Sequence, residues 1–98
     1  MGKYLVLWEI DKTHVPVEPK ERAVGWGILM ELVKNDIEKG IIKEWGAYLG
    51  ENRGFDIVEG SEVEVANMIQ QYVPYVDVKL HPIATVSQVD EIIKALSE

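Results

Sequence analysis

The chain has 98 residues, enough for one domain, and its 47% apolar content excludes a disordered polymer. Ten basic residues against seventeen acidic ones leave a net charge of −7, which argues against a sequence-independent grip on nucleic acid and against an anionic membrane surface. Cysteine is absent, so disulfides, thiolate metal sites and cysteine nucleophiles are excluded, and the composition fits a cytoplasmic protein.

The first apolar stretch, residues 4–7, is too short for a signal peptide, and no stretch approaches a membrane span. Residues 3–10 read as a strand that is apolar on both sides. Tyr4, Val6, Trp8 and Ile10 lie on one face, Leu5 and Leu7 on the other. A loop follows with Pro16, and Pro19 suits the first turn of a helix. From there to Lys39 the period is helical, with Trp26, Leu29, Met30, Val33 and Ile37 on one face. Val24, Ile28 and Leu32 make a second apolar flank, and Gly40 ends the helix. Residues 41–49 and 54–59 read as two strands of a hairpin joined by a Gly-flanked polar turn. Ser61 with Glu64 fits a capping box, opening a helix that buries Val65, Ala66, Ile69, Tyr72 and Val73 before Pro74. Residues 75–81 alternate, with Val76, Val78 and Leu80 on one side and Tyr75, Asp77, Lys79 and His81 on the other. Thr85 or Ser87 caps a C-terminal helix carrying Val89, Ile92, Ile93 and Leu96.

The order is β-α-β-β-α-β plus a C-terminal helix, the split βαβ arrangement of a ferredoxin-like α+β domain over residues 1–98. Helices cover one face of such an antiparallel sheet. A first strand apolar on both faces asks for further cover, and a second copy about a two-fold axis would supply it.

The approach from Gly40 to Trp45, the hairpin of residues 50–59 and the ending from Val73 and Pro74 through His81, Pro82 and Ile83 resemble the dimeric α+β-barrel superfamily. Within it the muconolactone isomerase-like proteins are most similar; YCII-like proteins and antibiotic-biosynthesis monooxygenases stand further off. The resemblance implies a homodimer whose sheets pack face to face as a barrel, with a ligand cavity between helices and sheet of each subunit. Members of the superfamily include isomerases, cofactor-free monooxygenases, haem-degrading enzymes and many proteins with no assigned role. Fold by itself does not give function.

His81 and His14 are the two histidines, suited to proton transfer near neutral pH. His81 shares a strand face with Asp77 and Lys79, and Asp11 or Asp56 would orient it if the register brings one opposite. His14 stands in the loop near Asp11. Neither has a second histidine at metal-ligand spacing, and neither lies on a long helix. Asp56, between Phe55 and Ile57, is a candidate base if its face is covered. Trp8, Trp26, Tyr48 and Tyr75 are candidate pocket walls, and Lys79 a candidate anion contact. Gly25 and Gly27 flank Trp26 within a helix, implying either close packing or space for a ligand.

Two functions follow as expectations. The first is a small-molecule-binding protein, an isomerase or monooxygenase-like enzyme using acid/base chemistry with no metal and no dissociable cofactor. The alternative is a non-catalytic ligand-binding or self-assembly module, with the second helical flank and the C-terminal helix building a higher oligomer.

Overall fold

A computed structural model describes residues 2–98. Strand β1 (Gly2–Ile10) runs into a single 3-10 turn (Lys12–His14) and helix α1 (Pro19–Glu38). Strands β2 (Ile42–Ala47) and β3 (Arg53–Gly60) form a hairpin, followed by α2 (Glu62–Gln70), β4 (Val76–Ile83) and α3 (Val86–Leu96). Local chemistry places the ends. Pro19 opens α1, where its missing N–H leaves no orphan donor. Gly40, at φ +80°, lets the chain leave α1 in the left-handed region. Ser61 with Glu64 and Thr85 with Gln88 form reciprocal capping boxes on α2 and α3.

The sheet is antiparallel in the order β2-β3-β1-β4, the ferredoxin-like topology. Val6 pairs with Asp56 and Tyr4 with Val58 across the two central strands. Tyr4, Val6, Ile42 and Val58 on the sheet meet Val33 of α1, Val65 and Met68 of α2, and Tyr72 just beyond it; these eight form the buried core. Burying a Val or Ile side chain is worth about 1.5–3 kcal/mol, so removal of any of them is costly.

The expected barrel is not formed. The sheet is open, with β2 and β4 at its edges among the described residues. A bulge between Ile42 and Glu44 re-aims β2, so that Ile42 and Trp45 both face the helices. On its outer face β1 shares its apolar character with β3. On the outer face Leu5 pairs with Ile57 and Leu7 with Phe55, and all four are half-buried. The apolar stripe covers only the two central strands. On β4 the outer row beside it is Asp77, Lys79 and His81, all exposed.

Helix faces also depart from periodicity. Ile37 is exposed while its neighbour Asp36 is buried. On α2 Met68 is buried and Ala66 exposed, and beyond the helix end Val73 is exposed. Val24 and Ile28 stay exposed on α1, but Leu32 packs against the core. A Cβ built on Gly25 or Gly27 would meet nothing within 4 Å. Close packing therefore does not explain this glycine pair.

Candidate functional site

The helix-covered face of the sheet encloses an apolar cavity of about 250 Å³. Its floor is Val6, Trp8, Trp45, Val76 and Val78; its roof is Leu29, Met30 and Val33 of α1 with Met68 and Ile69 of α2. Trp26, Ala47, Glu51 and Asn52 stand where α1 faces the β2–β3 hairpin, and all four are exposed, so this end is the mouth. The glycines beside Trp26 lie at this end of α1.

Period 2 and antiparallel register bring the key side chains together. Trp8 pairs with Gly54, and Asp56 pairs with Val6 on one side and Trp45 on the other. Trp8, Trp45 and Asp56 thus share one face. The indoles of Trp8 and Trp45 stack, with centroids 5.4 Å apart and planes 11° from parallel. Gly54 makes room for this. A Cβ there would collide with the Gly46 carbonyl oxygen and with Cζ2 of Trp8.

Within these apolar walls Asp56 is 5% exposed. Its Oδ1 and the Nε1 of Trp8 are buried and have no hydrogen-bond partner among the described residues. Burial raises the Asp56 carboxyl from 3.8 to about 7, with a further push from the charge of Asp36. At neutral pH Asp56 is therefore poised between acid and base.

Asp36, the second buried carboxylate, is treated differently by its surroundings. Tyr72 donates its hydroxyl proton to Oδ2 at 2.8 Å, and Gln71 Nε2 approaches both oxygens at 3.2 Å. Burial and this bond hold the Tyr72 hydroxyl well above the usual phenol range, so it remains a neutral donor. One carboxylate is satisfied by a structural network and the other keeps a free oxygen in a cavity wall. Asp36 was not singled out from sequence. The available signal was a carboxylate three residues after Val33, on the apolar stripe of α1.

The other candidates lie elsewhere. His81 and Lys79 are on the outer face, opposite Leu5 and Leu7, and are exposed. Asp56 faces the helices, so the sheet separates it from His81. Asp11 and His14 cluster at the end of β1. The Asp11 side chain accepts from the Thr13 backbone N–H at 2.8 Å and the Thr13 hydroxyl at 2.6 Å, which holds its carboxyl below the usual range. His14 packs edge-on against Tyr75 at 5.2 Å, and its Nδ1 is 3.8 Å from Asp11 Oδ1. Tyr48 is exposed in the turn after β2, outside the cavity lining. Of the nine candidates, the cavity gathers Trp8, Trp26 and Asp56.

Among the described residues no group of three His, Asp or Glu side chains could hold a metal ion, and no helix is long and apolar enough to cross a membrane. The ferredoxin-like order is what this chain shares with the superfamily it resembles; the barrel is not shared. No model of a known protein family matches the chain, and no curated protein does.

Proposed function

We propose that the cavity between helices and sheet binds a small, flat, mainly apolar molecule, and that Asp56 is its ionisable contact. The observation that carries this reading is a buried carboxyl with a raised pKa and an unpartnered oxygen in an apolar wall. Such a group costs folding free energy, which is a common mark of a site kept for binding or chemistry. The stacked Trp8 and Trp45 rings supply a flat surface for an aromatic or conjugated ligand. The Trp8 N–H supplies a donor for a carbonyl oxygen.

The chemistry that fits these groups is proton transfer. Asp56 takes a proton from carbon next to a carbonyl and returns it elsewhere on the same conjugated system. The Trp8 N–H stabilises the oxyanion formed between the two steps. Atoms and charge balance within substrate and carboxyl, so isomerisation of an unsaturated ketone or lactone needs no co-reactant. Binding without catalysis is the second reading. It is favoured by the lack of a second free acid in the cavity interior: Asp36 is engaged by Tyr72, and Glu51 at the mouth lies 3.5 Å from Arg53.

The test compares naphthalene with 1-naphthol as probes at pH 8, followed through tryptophan fluorescence and the indole N–H resonance of Trp8. We expect 1-naphthol to bind about tenfold more tightly, through the hydrogen bond to ionised Asp56. Asp56→Leu should abolish that preference and leave naphthalene binding in place. Absence of binding by either probe, or perturbations centred on His81 at the outer face, would refute the assignment.

A further inference from the structure

Helix α3 is the least packed of the three α-helices. None of its residues is buried, and it makes almost no contact with the other elements. The molecule is drawn out to 61 Å along its longest axis against 19 Å along its shortest. Its radius of gyration is 16.2 Å, where a compact chain of about 100 residues has about 13 Å.

This exposure conflicts with the sequence of the helix. Val86, Val89, Ile93 and Leu96 recur at steps of three, four and three, with Ile92 beside them, and they are 42–81% exposed. A single amphipathic helix of 11 residues is too short to hold in water by its own hydrogen bonds. The capping box of Thr85 and Gln88 starts it well, but its apolar row needs a partner surface.

The same chain carries a surface of matching kind. Leu5, Leu7, Phe55 and Ile57 form an apolar stripe on the outer face of the sheet, which no helix covers among the described residues. A sheet with one helix layer and a second apolar face gains most from another helix. We infer that α3 of one chain docks on the outer sheet face of a second copy, and that two chains exchange their α3 helices reciprocally.

The occupant of each stripe is the α3 of a second copy. Only two residues, Ala84 and Thr85, separate β4 from α3, and α3 then runs clear of its own sheet. A two-fold arrangement satisfies both helices and both stripes at once. Area is sufficient. A Val, Leu or Ile side chain carries roughly 60–120 Å² of apolar surface, so the five exposed ones present about 300 Å² per helix. Two helices and the surface they cover bring the interface to about 1,200 Å², the lower bound for a stable one. This contact puts a helix on the sheet; it is not the barrel of two facing sheets.

The lack of native cysteine makes the geometry directly testable. Chains carrying Leu7→Cys are mixed with chains carrying Ile93→Cys, equilibrated, and treated with a short bis-maleimide. Light scattering is run on the unsubstituted chain. The expected results are a particle of twice the chain mass and a covalent heterodimer joining residues 7 and 93. Ile93→Asp should weaken the dimer about tenfold or more, because it sets a carboxylate in the apolar row; circular dichroism checks that the variant folds. A monomer at 100 μM (about a hundred times a micromolar dimer constant) would overturn the inference. So would a cross-link within one chain carrying both cysteines, which places α3 on its own sheet. Cross-links between residues 93 alone would overturn it too, since they pair helix with helix.

Discussion

Replacing Asp56 by Asn removes the one buried carboxyl that lacks a partner for Oδ1. In the folded chain that carboxyl is raised from 3.8 to about 7 by burial and by the charge of Asp36. A folded-state value above the unfolded one means that the native state holds the proton more tightly. Its contribution to stability is therefore fully present below about pH 4 and is lost as pH rises to about 7. Between these values the linkage is on the order of 4 kcal/mol. Local relaxation and water entry reduce it, so the expected gain of Asp56→Asn over the parent between pH 4 and pH 8 is about 2–4 kcal/mol. Urea unfolding at four pH values, read by tryptophan fluorescence, measures it. Carboxylates remote from Asp56 are common to both proteins and cancel in the difference, while the repulsion between Asp36 and Asp56 is part of what the difference measures. Any fixed cost of the buried amide shifts the whole difference curve and leaves its slope. A difference that stays flat within about 0.5 kcal/mol from pH 4 to pH 8 would refute the reasoning, because Asp56 would then titrate as a solvated group.

Gly54→Ala should destabilise the fold by about 1–3 kcal/mol, since its Cβ meets the Gly46 carbonyl and the Trp8 ring; thermal melts read the loss, and disturbed near-ultraviolet dichroism reports the displaced tryptophans. Gly25→Ala and Gly27→Ala should each stabilise by about 0.5–1 kcal/mol, as both sites are helical and open. Equal or lower melting temperatures would show that α1 needs this freedom beside Trp26.

Much of the local structure was legible in the residues. The capping box of Ser61 and Glu64, Pro19, Gly40 and the alternation of residues 75–81 depend on neighbours in the chain, and they led to the observed elements and the ferredoxin-like order. Asp56 was readable as a carboxylate on a strand of apolar neighbours, and Trp8 and Trp26 as large rings suited to a wall. What the sequence could not supply was which strand faces lie on the same side. His81 and Asp56 both alternate with apolar residues, and only the pairing of β1 with β3 and β4 puts them on opposite faces. The bulge in β2 shifted its phase by one residue and turned Trp45 towards Trp8, which strict alternation does not anticipate.

The first strand shows both sides of this division. Its apolar character on two faces is a property of the residues, and it established by itself that helices on one side leave hydrophobic surface on the other. How wide that surface is depended on the rows beside it. Register set Leu5 and Leu7 against Ile57 and Phe55, and placed Lys79 and His81 at the border. The same register surrounded Asp56 with Val6 and Trp45. Burial of a charge is a sum over neighbours distant in sequence, so only the tertiary structure decided that this carboxyl, and neither histidine, stands in the cavity.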